Sequence, residues 1–155
     1  MRLSLFLFFY LILSASLFAQ YVDANKNGTM DPYENPQAGI EERIEDLLTR
    51  MTLDEKIAQM KSISNIELDN QKGDIAENAL INSELINGLG QLSRSGEDLL
   101  PGQTVEKINR LQKYLLEKTR LGIPAIIHEE CLHGVMMEEA TIFPQPIARA
   151  SSWDV

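Results

Sequence analysis

A regular helical repeat lies between two short apolar runs, and this order limits the folds that the chain can adopt. Apolar residues recur every three or four positions from Val105 to Leu115, which predicts an amphipathic helix capped by Thr104. Residues 86–92, INGLGQL, and residues 124–130, PAIIHEE, each have the pattern of a short strand. Strand, helix and strand in this order predict a right-handed unit with parallel strands. The predicted fold class is therefore α/β.

A pair of helices is predicted before this unit. Apolar positions from Ile40 onward follow the helical period, and Thr52 with Glu55 has the spacing of a capping box that starts a second helix. Gly122 is placed to end the later helix in a left-handed conformation. Residues 61–85 are polar and weakly patterned, so no element is predicted there.

Charged residues follow the second apolar run, which is predicted to be a strand buried on both faces. Sites in parallel α/β folds lie at the carboxyl ends of strands, and this places His128, Glu129 and Glu130 where chemistry would occur. Adjacent residues of a strand point to opposite faces, so only one of the two glutamates can enter a given pocket. Spacing alone leaves two roles open, a solvated or helix-capping carboxylate and a hydrogen-bond acceptor for a polar ligand.

Residues 23–34, DANKNGTMDPYE, match the calcium-loop pattern D-x-[DN]-x-[DN]-G-x5-E. Pro32 and Pro36 oppose a regular helix after the loop, so an EF-hand is not expected. Two alternatives stay open, a loop that holds a structural Ca²⁺ and a metal-free loop of Asx turns. The candidate ligands are Asp23, Asn25, Asn27, the backbone of Thr29, Asp31 and Glu34.

Residues 1–19 have the features of a secretory signal peptide, with Arg2 near the start, an apolar run over residues 5–13 and small residues before Gln20. We therefore expect a secreted or periplasmic protein, with a lipid-linked or anchored form as the alternative. The formal net charge of −9 argues against nucleic acid as a partner, because phosphate binding needs a clustered basic face. No membrane association is expected after cleavage of the signal peptide.

Three segments of the chain together carry a family resemblance: residues 42–60, ERIEDLLTRMTLDEKIAQM, residues 109–135, NRLQKYLLEKTRLGIPAIIHEECLHGV, and residues 140–154, ATIFPQPIARASSWD. In this order they resemble the opening of the glycoside hydrolase family 3 N-terminal domain, found in secreted exo-acting β-glucosidases and β-xylosidases. The resemblance implies the start of a (β/α)8 TIM-type barrel that is incomplete in this chain, since such a domain takes about 250 residues. The expected organisation is a signal peptide (1–19), an Asp/Asn/Gly-rich loop (20–39) and the first part of the barrel (40–155).

The resemblance also implies an activity, the retaining hydrolysis of terminal β-linked glucose or xylose in oligosaccharides. The family's nucleophile and acid/base would lie beyond the end of this chain. No cofactor is expected for catalysis, and any Ca²⁺ would be structural. The alternative is a catalytically inactive, truncated fragment with at most calcium or weak sugar binding. Nothing in the sequence predicts the oligomeric state.

One family site residue carries over by its motif. Glu130 is the carboxylate of the D/E-x-x-H-G motif, here ECLHG, and in the family this residue accepts hydrogen bonds from hydroxyls of the terminal sugar. Glutamate in place of aspartate is more frequent in xylosidase-like members, so the choice between glucose and xylose stays open. His133 and Gly134 match the same motif and are predicted to shape the pocket. Arg94 either reaches the pocket mouth or is a solvated loop residue.

Overall fold

The computed structural model describes residues 21–64 and 79–153. The predicted signal peptide, residues 1–19, lies outside the described residues. A short 3-10 helix spans Pro32–Glu34, and the α-helices within these ranges are α1 (Ile40–Arg50), α2 (Leu53–Gln59), α3 (Ala79–Leu85), α4 (Pro101–Lys118) and α5 (Pro146–Ser151). The strands are β1 (Ser62–Ser64), β2 (Gln91–Ser93) and β3 (Ile126–His128). No helix in the described ranges is both long enough and apolar enough to cross a bilayer.

The three strands form one parallel sheet in the order β1-β2-β3. In this register Leu92 lies between Ile63 and Ile127, and α4 connects β2 to β3. The prediction of an α/β fold with parallel strands is confirmed. Neither β1 nor α3 was predicted within residues 61–85. β1 was missed because a three-residue strand with serine at both ends has no apolar run.

Two element boundaries differ from those predicted. The strand predicted over residues 86–92 begins only at Gln91, because Gly88 has a left-handed φ of 98° and the chain turns there. α4 begins after Leu100 and not after Thr104. Its first residue is a proline, which is suited to that position, and the Gln103 side chain accepts a hydrogen bond from the Leu100 amide at 3.0 Å.

Gly122 is left-handed, with φ +57°, but it does not end α4, which stops at Lys118. It lies in the turn that packs against the N-terminal loop, where a Cβ atom at this position would be 2.7 Å from the carbonyl oxygen of Ala24. The prediction that β3 is buried on both faces is also wrong. Ile126 is 66% exposed, because no described layer covers that face of the sheet.

The apolar core lies between α4 and one face of the sheet. Ile63 of β1 and Ile127 of β3 pack against the core from that face. Each fully buried leucine contributes about 1.5–3 kcal/mol to folding through removal of apolar surface from water. The predicted helix α1, by contrast, has no buried residue, and its apolar stripe faces outward. The buried core residues are Leu85, Leu89, Leu92, Leu111, Tyr114, Leu115 and Ala125.

A polar cluster joins the N-terminal helices to the chain after α4. Arg120 donates two hydrogen bonds to the buried Glu55, at 2.9 Å from Nε to Oε1 and at 2.5 Å from a terminal nitrogen to Oε2. The same guanidinium donates to the carbonyl oxygen of Arg50 at 2.8 Å, and Arg50 forms an ion pair with Asp31 at 2.9 Å. These four residues, called the polar clasp below, connect the loop before α1, the α1–α2 corner and the chain after α4.

Candidate functional site

The two glutamates after β3 point to different surroundings. Glu129 is half-buried, and its Oε1 accepts hydrogen bonds from the Ser95 hydroxyl and, at 3.1 Å, from the Gly96 amide. Glu130 is exposed. This is the alternation expected of neighbouring residues in extended backbone. One carboxylate is therefore bound to the protein itself, and the other is open to a ligand.

The loop between β2 and α4 lies beside these strand ends. Arg94, predicted either to reach the pocket or to be solvated, has a left-handed φ of 52° and forms an ion pair with Glu97 in its own loop. Ser95, next to it, is fully buried. The serine was not singled out by sequence reasoning. Its position two residues after the end of β2, the strand that pairs with β3, is the signal that could have identified it.

The segment after Glu130 folds back on itself. The His133 carbonyl oxygen accepts a hydrogen bond from the Phe143 amide at 2.6 Å. Gly134 has φ +125°, and a Cβ atom there would lie 2.4 Å from the Thr141 carbonyl oxygen. Only glycine fits this position without displacement of the backbone, because other residues rarely adopt that φ and would meet that oxygen. The His-Gly pair of the motif thus brings two stretches of one loop together.

A cavity of about 560 Å³ opens on this segment. His133 and Gly134, the two residues predicted to shape a pocket, are in its lining, whereas Glu130 and Arg94 are not. The Nδ1 atom of His133 is buried without a hydrogen-bond partner among the residues that the structure describes. The lining consists of Cys131, Leu132, His133, Gly134, Phe143, Pro144, Pro146 and Arg149.

The Asp/Asn/Gly-rich loop forms turns through its own side chains. Asp31 Oδ2 accepts hydrogen bonds from the side-chain amides of Asn25, at 2.6 Å, and Asn27, at 2.7 Å. Asp23 accepts bonds from the backbone amides of Asn27, at 3.1 Å, and Gly28, at 2.9 Å. Hydrogen bonds from Asn25, then Asn27 and Arg50, hold the pKa of Asp31 below its usual value. These contacts are those of an Asx-turn loop.

The fit of this loop to Ca²⁺ depends on the same oxygens. Glu34 is buried and accepts bonds from the backbone amides of Ala24, at 2.8 Å, and Asp31, at 3.0 Å. In the part of the chain that the structure describes, no three His, Cys, Asp or Glu side chains are grouped as metal ligands. The donors at the pattern positions, including Thr29 through its backbone, are all oxygens, as Ca²⁺ requires. To bind here, Ca²⁺ would have to displace the amide groups and the Arg50 guanidinium that now contact these oxygens. Its binding therefore stays a prediction.

Comparison with known proteins identifies relatives over most of the chain. Residues 52–155 match the family described as "Glycosyl hydrolase family 3 N terminal domain". The chain is 34% identical over 124 residues to a protein named "Putative beta-xylosidase" from Formosa agariphila. The aligned region covers 79% of this chain and 16% of that protein. It is 36% identical over 114 residues to the periplasmic beta-glucosidase/beta-xylosidase of Dickeya chrysanthemi, with 69% and 17% covered.

A fungal protein, the beta-glucosidase C of Emericella nidulans, is 33% identical over 113 residues, with 72% of this chain and 18% of that protein covered. The chain therefore spans less than a fifth of the length of these relatives. The family match includes α2, the whole parallel sheet and the ECLHG motif after β3. The chain belongs to glycosyl hydrolase family 3, within the N-terminal domain, as the resemblance of its three segments predicted.

Proposed function

We propose that this chain is part of the barrel domain of a secreted, exo-acting β-glycosidase that removes terminal β-linked glucose or xylose from oligosaccharides. The observation that carries the proposal is the exposed carboxylate of Glu130, which follows β3 at the carboxyl end of a parallel sheet. The relatives named as β-glucosidases and β-xylosidases support the substrate class. The name of one of them includes the word periplasmic, which supports export and residues 1–19 as a signal peptide.

The barrel architecture is supported by the order of the strands. In a (β/α)8 barrel, successive parallel strands are neighbours and each is followed by a helix. The sheet order β1-β2-β3, with α4 between the last two strands, agrees with that plan. The open face at Ile126 and the outward apolar stripe of α1 are surfaces that further strands and helices of such a barrel would cover.

In this proposal Glu130 binds the substrate and does not attack it. An ionised carboxylate accepts charge-assisted hydrogen bonds from sugar hydroxyls, which are shorter and stronger than bonds between neutral groups. Such bonds orient the terminal sugar, while a nucleophile and an acid/base from residues beyond this chain carry out the retaining reaction through a glycosyl-enzyme intermediate. That chemistry uses no metal, so a Ca²⁺ at residues 23–34 would only stabilise the fold.

The test uses the protein encoded by the complete reading frame, assayed with an aryl β-glucoside and an aryl β-xyloside. We expect Glu130→Gln to lower kcat/KM on the order of 10²-fold, because two bonds to a charged group are weakened. Glu106→Gln, at an exposed position of α4, is the matched control and should keep the activity of the parent protein. An unchanged kcat/KM in Glu130→Gln with both substrates would refute the proposal.

The alternative function, an inactive fragment, applies to the 155-residue chain alone. We expect this chain to show no turnover of an aryl β-glucoside, because the family's nucleophile and acid/base are not among its residues. Measurable turnover by the purified chain would contradict that expectation. Weak sugar binding without turnover, detected by calorimetry, would support the alternative.

A further inference from the structure

We propose, on the basis of the function proposed above, that Glu129 is a positioning residue that orients the Glu130 carboxylate through its hydrogen bonds to Ser95 and Gly96. Glu129 would not touch the substrate. Its role would be to fix the backbone at the end of β3, so that the adjacent side chain points to the open side of the strand end.

The contacts of Glu129 join two loops that are distant in sequence. Its Oε1 accepts from the Ser95 hydroxyl, 34 residues earlier in the chain, and from the Gly96 amide at 3.1 Å. Ser95 has no exposed surface. A buried hydroxyl that loses its hydrogen-bond partner destabilises the folded protein, so the pair favours one inward orientation of Glu129.

A second hydrogen bond attaches the β2–α4 loop near its C-terminal end to the segment after β3. The Leu99 carbonyl oxygen accepts from the Glu138 amide at 3.1 Å. At Gly96, a Cβ atom would lie 2.4 Å from the Met137 methyl group, so the two loops are in close contact there. The segment from Glu129 to Glu138, which includes Glu130, is therefore attached to the β2–α4 loop near both of its ends.

This arrangement has a consequence for Glu130. Neighbouring side chains in extended backbone point in opposite directions, and the residues after β3 follow this alternation, with Glu129 bonded to the β2–α4 loop and Glu130 exposed. Without the bonds to Ser95 and Gly96, the peptide between the two glutamates could rotate and either carboxylate could turn outward. A displacement of about 1 Å in a binding group is enough to lower activity by as much as 10²-fold.

The experiment compares Glu129→Ala, Glu129→Gln and Ser95→Ala in the protein from the complete reading frame. We expect Glu129→Ala to lower kcat/KM about tenfold, mostly through KM, because substrate orientation is lost. Glu129→Gln keeps an oxygen that accepts both bonds and should recover activity to within about twofold of the parent. Ser95→Ala removes one of the two donors and should give an intermediate loss.

A double variant separates positioning from a general structural role. If Glu129 acts through Glu130, adding Glu129→Ala to Glu130→Ala should lower kcat/KM no further than Glu130→Ala does alone. An equal further loss in that background would overturn the inference, as would full activity of Glu129→Ala or no recovery in Glu129→Gln.

The two proposals fail in different ways. If Glu130→Ala has a much lower kcat/KM while Glu129→Ala and Ser95→Ala behave as the parent, only the positioning role is refuted. If Glu130→Ala has full activity, the proposed function fails and the positioning role fails with it. Should Glu129→Ala not fold, the comparison of Ser95→Ala with Glu129→Gln decides the question, because equal activity in both would overturn the inference.

Discussion

The carboxylates of the polar clasp and the exposed carboxylate of Glu130 after β3 have different surroundings. In the clasp, Glu55 is buried and bonded twice by Arg120, from 65 residues away, and Asp31 is paired with Arg50. After β3, one glutamate of an adjacent pair is bonded to its own protein and Glu130 is exposed. Both regions contain acidic side chains with a carboxylate group.

The difference shows how structural and functional carboxylates are distinguished. A carboxylate with fixed donors holds elements in place, and its hydrogen-bonding capacity is already used. An exposed carboxylate at a strand end can accept bonds from a ligand. Substitutions in the clasp should therefore change stability with little effect on activity, and substitutions near Glu130 should do the reverse.

The largest contrast is expected between two glycine substitutions. Gly134→Ala would bring a Cβ atom to 2.4 Å from the Thr141 carbonyl oxygen and should lower kcat/KM on the order of 10²-fold, because the loop beside the site must move. Gly122→Ala would bring a Cβ atom to 2.7 Å from the Ala24 carbonyl oxygen, in the turn that precedes β3. It should lower Tm and leave kcat/KM near that of the parent. Equal losses of activity in the two variants would contradict the contrast.

A smaller effect is expected from Glu55→Gln, which removes the charge that Arg120 contacts. The free energy of unfolding should fall by about 1–2 kcal/mol, with activity unchanged at temperatures where the protein is folded. Asp54→Asn, an exposed change in the same helical turn, is the matched control. Hydrogen exchange of peptides spanning residues 50–60 localises the effect. Similar protection in both variants would show that the ion pair does not stabilise α2.

The same pair predicts a pH dependence. Hydrogen bonds from Arg120 hold the pKa of Glu55 below its usual value of 4.5. A lowered pKa in the folded state means that this stabilisation is complete above pH 4.5 and is lost as the pH falls through the folded-state pKa. The Tm difference between the parent and Glu55→Gln should therefore be constant near neutral pH and shrink in acid. If the Tm difference between the two proteins grew on acidification, its sign would be opposite to that expected, and the lowered pKa of Glu55 would be excluded as its cause.

Thr52→Ala should have a more modest effect on the clasp. Its hydroxyl accepts from the Glu55 amide at 3.2 Å, and the Glu55 side chain accepts from the Thr52 amide at 2.8 Å. Loss of the capping hydroxyl costs about 1 kcal/mol. Thr52→Ser keeps the hydroxyl and should recover most of the lost Tm. If the serine variant is as unstable as the alanine variant, the cap is not the source of the effect.

The smallest expected change concerns Ca²⁺ at residues 23–34. At millimolar Ca²⁺, a weak site would stabilise the folded protein by about 1 kcal/mol, seen as a rise in Tm that Mg²⁺ does not reproduce. Glu34→Gln should abolish that rise, because the bidentate ligand of the pattern is lost. A flat calorimetric titration of the parent protein, or an equal rise in the variant, would exclude the calcium loop.

Several features of this protein were determined by its sequence alone. The helical period from Ile40, the capping box of Thr52 and Glu55, and the α/β order around α4 were predicted and are confirmed. The prediction that Glu130 lies beside the end of a strand was also correct. Each of these elements is specified by residues within about one or two helical turns of each other, so a local pattern contains it.

Other features were decided only by the tertiary structure. β1 is a strand because it pairs with β2 in the parallel sheet, although its serines resemble a loop. The partners of Glu55 and Glu129 lie 65 and 34 residues away, and no spacing rule joins positions so far apart. Two glutamates in adjacent positions therefore have different surroundings, because the packing of the β2–α4 loop against the end of β3 provides donors to one of them and leaves the other exposed.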